Sequence, residues 1–176
     1  MGENRIQMAV NWIVDILVMI VLACYTVYAF GCCVSVNGHS MEPALSQGDY
    51  VLVNRLTYDL GQPDRFDIVV FTQDGSVQNI KRVIGLPGET VQIKDRAVYI
   101  NGERLEADGD LGNVSIAGAA EHPVELGEDE YFLLGDNRDS SEDSRFFGIG
   151  NVKREQIIGK VWLRFRSVSD FGLVSS

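Results

Sequence analysis

Three short stretches hold most of the side chains able to do chemistry. The first is Gly38-His39-Ser40-Met41-Glu42-Pro43-Ala44-Leu45, directly after an apolar run. A serine at a glycine-led turn beside a proline is ordinary loop chemistry until a base activates it. The histidines available are His39 and His122. His39 adjoins Ser40, poor geometry for a base directed at the neighbouring hydroxyl, and His122 sits in an irregular segment. Lys81 is the better base. It lies in Asn79-Ile80-Lys81-Arg82-Val83-Ile84-Gly85-Leu86-Pro87-Gly88-Glu89. Burial in such an apolar, strand-like context disfavours the ammonium and leaves an amine able to take the serine proton and return it to a leaving amine. The plainer alternative is two basic residues, Lys81 and Arg82, at a strand end. The third stretch, Gly135-Asp136-Asn137-Arg138-Asp139-Ser140-Ser141-Glu142-Asp143-Ser144-Arg145-Phe146-Phe147-Gly148, is either a solvated charged loop or a hydrogen-bonded network that holds a lysine base in place.

Short alternating segments separated by turn residues must position these groups. Tyr50–Val53, Asp67–Phe71, Glu130–Leu134 and Ile157–Phe165 read as strands. Val91–Ile93 and Ala97–Ile100 read as a hairpin around Lys94-Asp95-Arg96, and Asn101-Gly102 is a two-residue hairpin signal. A short helix fits Lys153–Gln156. Glu106–Pro123, rich in Gly, Ala and Asp and without a period, reads as a small insert or cap, and Ser167–Ser176 as a frayed tail. The expected fold is mainly β: a complex antiparallel sheet domain with a small insert (residues 106–123), on one N-terminal transmembrane helix.

From Trp12 to Val36 the chain is almost wholly apolar, with Asp15 as its one charge. That exceeds the roughly 20 residues that cross a bilayer core. A cleavable signal peptide is the rival, but the basic N-terminal region is weak and the run is too long for it. The expectation is an uncleaved anchor, with residues 1–36 as N-terminus and span and 37–176 as the domain beyond. Arg5 precedes the run and no Lys or Arg follows until Arg55, which favours a cytoplasmic N-terminus.

Composition narrows the function classes. The formal charge is −10 and the pI about 4.6, and no basic run stands out, which argues against nucleic acid as a partner. Cys24, Cys32 and Cys33 all lie within or beside the apolar run, so a disulfide framework is not expected. No metal-ligand spacing is visible.

Taken together, the stretches resemble the signature boxes of the type I signal peptidase family, the bacterial leader peptidases. A Ser-Met-x-Pro box, a Gly-Asp-x-Val-x-Val strand (Gly48, Asp49, Val51, Val53), a Lys-Arg-Val-Ile-Gly-x-Pro-Gly box and a Gly-Asp-Asn-Arg-x-x-Ser-x-Asp-Ser-Arg box follow in family order after an apolar span, over Val36 to Phe165. The resemblance implies that Ser40 is the nucleophile, Lys81 the general base and Ser141 the residue that orients the Lys81 amine. The Ser40 N–H would form part of the oxyanion hole. Many relatives carry a hydroxyl two residues before the nucleophile, where this chain has Gly38, as in a Gly-x-Ser-Met variant common in Gram-positive members. Asp136, Arg82, Asp143 and Arg145 would form structural ion pairs. Val36, Met41, Leu45 and Ile80 would line shallow pockets selective for Ala-x-Ala. Glu89, Ala44 and Ser140 depart from the commoner Asp, Thr and Asn. The family implies an extracytoplasmic endopeptidase domain on a single-pass membrane anchor, working without metal or cofactor. It would act on secretory preproteins emerging from the export machinery, with membrane lipid around its span. Self-cleaving Ser–Lys repressors are soluble and usually carry a DNA-binding domain. The eukaryotic branch has His in place of Lys81. A β module that had lost catalysis would show a damaged dyad.

Overall fold

A computed structural model describes residues 2–73, 75, 77–106, 113–167 and 170–174. Helix α1 (Gly2–Phe30) includes 26 residues, Arg5–Phe30, that are long and apolar enough to cross a membrane. It ends earlier than the apolar run. Cys32–Ser35 is strand β1, paired antiparallel with β2 (Tyr50–Asn54), so Val34 and Val36 belong to the β core. Small and β-branched apolar residues suit a bilayer and a buried strand alike, which is why the sequence pattern runs on past Phe30.

Beyond β2 come a short helix α2 (Leu56–Leu60), β3 (Ile68–Gln73), β4 (Val77–Gly85), β5 (Thr90–Lys94), β6 (Ala97–Ile100), β7 (Glu103–Arg104), β8 (Val124–Glu125), β9 (Glu130–Leu134), β10 (Val152–Lys153), β11 (Ile157–Ser167) and β12 (Asp170–Leu173). The large sheet has the order β1-β2-β11-β3-β4-β9-β10, with β12 paired to β11; the smaller sheet is β7-β6-β5-β8. Every described pairing is antiparallel. The mainly β fold with an apolar N-terminal helix is therefore as expected from the sequence.

Local chemistry accounts for the hairpins. Lys94 pairs with Ala97, so the first turn is Asp95-Arg96, with φ of 51° and 62°. Asn101-Gly102, at 52° and 84°, joins β6 to β7. Positive φ at both central residues matches the right-handed twist of the flanking strands. Lys153–Gln156 contains a 3-10 turn over Arg154–Gln156. The tail is more ordered than expected: β12 adds to β11, with Phe171 opposite Phe165, while residues 168–169 and 175–176 of that tail lie outside the described set.

Three apolar clusters hold the sheets. One joins Val34, Val36, Met41, Leu45, Val51, Val53, Ile68, Val70, Ile80 and Val161 under the loop after β1. A second fills the smaller sheet and takes in Val114 and Ala120 from the segment read as an insert. A third lies around Val69, Phe71, Val83, Tyr131 and Leu133. Each fully buried large aliphatic side chain contributes about 1.5–3 kcal/mol. Residues 107–112 of the insert lie outside the described residues. Its later part is fastened down, with Val114 N–H donating to Arg96 O at 2.9 Å and Ala119 N–H to Arg145 O at 2.8 Å.

Candidate active site

Ser40 stands in the loop between β1 and β2. Val36 N–H donates to Asp49 O at 2.8 Å and Gly48 N–H to Val36 O at 3.0 Å, closing the loop at its base. Met41 and Leu45 are pegs beneath it, 1% and 0% exposed. Gly38 adopts φ +98°, in the left-handed region, and a Cβ there would meet nothing within 4 Å. Backbone conformation rather than crowding therefore favours glycine at this position. His39 is exposed, and its Nδ1 lies 2.9 Å from Glu42 Oε1. His122 is exposed as well, and neither histidine side chain is hydrogen-bonded to Ser40 among the described residues.

Lys81 comes from the middle of β4, opposite Val69 of β3. Its amine lies 2.9 Å from Ser40 Oγ, although 41 residues separate the two in the chain. Lys81 is only 4% exposed. Burial pulls its pKa below the ordinary lysine value; the carboxylates of Asp143, Glu142 and Asp136 pull it part of the way back and Arg145 pushes it down again. Lys81 forms no ion pair among the described residues. A dry amine in contact with a hydroxyl and free of a paired carboxylate is suited to hold or give up a proton at that hydroxyl.

The third stretch surrounds this pair. Arg82, next to Lys81, grips Asp136 with Nε and Nη2, both at 2.8 Å, and donates from Nη1 to Phe66 O at 2.8 Å. Asp143, 0% exposed, takes Arg145 Nε at 2.8 Å and Nη2 at 2.9 Å, and its Oδ2 accepts the Gly135 N–H at 3.0 Å. Arg145 also donates to the carbonyls of Arg138 at 2.6 Å and Ile116 at 3.0 Å. Both pairs are forked, and their extra hydrogen bonds offset the desolvation of buried charge. Glu89, one of the departures, forms its own fork with Arg65 and accepts the Leu86 N–H at 2.8 Å.

Ser141 is brought beside the pair but is not bonded to it. Its Oγ is buried without a hydrogen-bond partner among the described residues, Lys81 included. Three contributors were given no role in the sequence reading. Asn137 N–H donates to Ser40 O at 3.1 Å, fixing the backbone of the serine. Gly135 fills the space between the two serines: a Cβ on it would stand 2.2 Å from Ser141 Oγ and 2.5 Å from Ser40 O. Arg138, 6% exposed, donates from Nε to Gly135 O at 3.0 Å, and burial lowers its guanidinium to about 10. All three lie in the third stretch, so composition marked their neighbourhood, but the contacts of Asn137 and Gly135 with Ser40 are long-range and leave no local pattern. Val36, Met41, Leu45 and Ile80 share a single buried cluster, with Ala44 half-buried against it.

Known proteins share this framework. Residues 9–166 match the family described as "Signal peptidase, peptidase S26". The chain is 37% identical over 144 residues to "Probable signal peptidase I-2" of Synechocystis sp., covering 77% of this chain and 63% of that protein, so it spans somewhat under two thirds of that relative's length. It is 38% identical over 151 residues to "Signal peptidase I" of Bacillus caldolyticus, covering 77% of this chain and 80% of that one. It is 31% identical over 176 positions to "Signal peptidase IB" of Staphylococcus aureus, covering 92% and 91%. The chain thus belongs to the signal peptidase family, peptidase S26, as a peptidase hydrolase of the signal-peptide-processing class whose apolar N-terminal helix fits a membrane anchor.

Proposed function

We propose that this peptidase removes N-terminal signal peptides from secretory preproteins as they emerge from the export machinery, with Ser40 as nucleophile and Lys81 as general base. The observation that carries the reading is the 2.9 Å contact between Lys81 Nζ and Ser40 Oγ, with the amine 4% exposed.

In this mechanism the neutral amine takes the Ser40 proton as Oγ attacks the scissile carbonyl carbon. The ammonium then returns the proton to the leaving amine, and an acyl-serine remains. A water, deprotonated by the same amine, releases the signal peptide and regenerates the hydroxyl. The Ser40 N–H, with Gly38 clearing the backbone approach, serves the developing oxyanion. Ser141 orients the amine through a hydrogen bond that forms when the lysine swings. The outer surface of the Val36, Met41, Leu45 and Ile80 cluster receives small side chains, which gives the Ala-x-Ala preference. The helix crosses the cell membrane once, N-terminus in the cytoplasm, so that Ser40 faces cleavage sites at the outer surface. Asymmetry of basic residues around the span supports that orientation.

The test is Ser40→Ala in the full chain, assayed on a preprotein. Turnover should fall by about 10⁴-fold or more, with the circular-dichroism spectrum unchanged. Near wild-type turnover would remove Ser40 from the reaction.

A further inference from the structure

The end of the anchor helix is gripped by the β domain. The last carbonyls of a helix lack partners within it. Gly31 N–H serves Val27 O at 2.7 Å, and Ala29 O, on a residue 0% exposed, accepts the N–H of Arg55 at 3.0 Å from the corner between β2 and α2. The last turn of α1 contains no basic residue. Arg55 supplies one from across the chain, its guanidinium 5.4 Å from the centre of the Tyr28 ring. A cation at a helix C-terminus and on an aromatic face is favoured twice over. From β11, Trp162 sets its ring against Phe30, edge-on at 6.2 Å and 71°. Arg55 Nε and Trp162 Nε1 are both buried without hydrogen-bond partners among the described residues, which works against the stability of the β domain. Their packing against the helix is the contact that accounts for both.

Ten residues lead from Phe30 to Ser40, and of these Cys32–Ser35 are paired into the sheet as β1 and Val36 is hydrogen-bonded to Asp49 and Gly48. No slack linker separates span and nucleophile. We propose that Arg55 and Trp162 form a collar that locks the span to the β domain and so fixes the height of Ser40 above the bilayer. They are positioning residues for membrane-inserted substrates and do not touch the reacting atoms. A fixed height matters because a preprotein still held by its signal peptide presents its cleavage site at one depth, and a misplacement of about 1 Å can cost up to about 100-fold in rate. The proposal rests on the signal-peptide reading above.

The experiment places full-length enzyme in phosphatidylcholine–phosphatidylglycerol vesicles with two substrates: a membrane-inserted preprotein and a soluble peptide with the same cleavage sequence. Arg55→Ala/Trp162→Ala should lose about tenfold or more in kcat/KM on the preprotein while peptide turnover stays within about twofold. Preproteins with extra residues between the apolar segment and the cleavage site sharpen the readout. Wild type should discriminate steeply among them, and the double variant should be nearly indifferent. Arg55→Lys with Trp162→Phe, which keeps a cation and an aromatic edge, should restore both rate and discrimination. Tyr28→Leu alters only the helix side, leaves the β domain intact, and should reproduce the selective loss at about threefold. Equal losses on both substrates, or no loss on the preprotein, for Tyr28→Leu would overturn the collar, whatever the double variant does. If wild type cuts neither substrate, the functional reading falls and the collar's role with it, a result distinct from failure of the collar alone.

Discussion

Lys160 and Lys81 lie on one row of the large sheet, each opposite Val69 from its own side. They are built for different work. The Lys160 side chain is 27% exposed and ion-paired to Asp67, whose second oxygen accepts the Tyr58 hydroxyl at 2.7 Å. Burial, and then that carboxylate, push the Tyr58 phenol far above its usual range. Lys81 is 4% exposed and meets the Ser40 hydroxyl. An adjacent carboxylate favours the ammonium form of a lysine, whereas a dry hydroxyl does not. Strand position alone therefore does not make a lysine a base. What matters is that the two buried acids nearby are claimed by other cations, Asp136 by Arg82 and Asp143 by Arg145, while Glu142 lies exposed to solvent. The arginines keep the carboxylates from becoming ion-pair partners of Lys81 while leaving them close enough to feel it.

Swapping each lysine for methionine is the most direct way to break the comparison. Lys81→Met should lower kcat by about 10³-fold or more with no loss of thermal stability, because a thioether replaces an amine that burial penalises. The wild-type rate should climb with pH along one limb as Lys81 passes its lowered pKa. Between that pKa and the unfolded value near 10.5, the native state binds fewer protons than the unfolded chain, so native stability should rise with pH there. Below both values the buried ammonium is fully penalised. Denaturation series across pH should show this slope in wild type and lose it in Lys81→Met.

Asp143→Asn attacks the shield rather than the base. Stranding Arg145 in the core should cost about 3–5 kcal/mol in urea unfolding. Ser141→Ala should lower kcat by about tenfold, or roughly 1.4 kcal/mol, if the hydroxyl orients the amine, without destabilising the fold, since its Oγ has no partner to lose. A Ser141→Ala enzyme with unchanged kcat would take Ser141 out of the mechanism. Smallest in its effect on activity, Lys160→Met should keep turnover within about twofold and retain the pH limb, while leaving the buried Asp67 without its cation should cost about 1–3 kcal/mol in stability. Loss of the limb in Lys160→Met would move the base to the other end of the row.

What could be read from the residues themselves was local. Asn101-Gly102 announces its turn because left-handed backbone suits those residue types, and Ser40, Lys81 and the acid-rich stretch stand out by composition. Strand β1 was hidden because Cys32–Ser35 continues the apolar character of the span. Strand β12 was hidden because its pairing with β11 is a tertiary event. The union of Ser40 with Lys81 needed the family order of the boxes, since a hydrogen bond across 41 residues has no periodicity. Gly135 could not have been singled out at all, because what makes it small is the proximity of Ser141 Oγ and Ser40 O.

The position of β11 between β2 and β3 carries a consequence for the newly made enzyme. The Ser40 loop leads into β2, and Lys81 sits on the strand paired with β3, so the two halves of the proposed dyad flank a seam that a much later strand must fill. During synthesis, residues 40 and 81 leave the ribosome long before residues 157–167. Until that strand threads the seam, the halves have no common sheet to hold them in register. The newly made chain thus emerges with Ser40 and Lys81 apart, and its last long strand is what brings the proposed pair together.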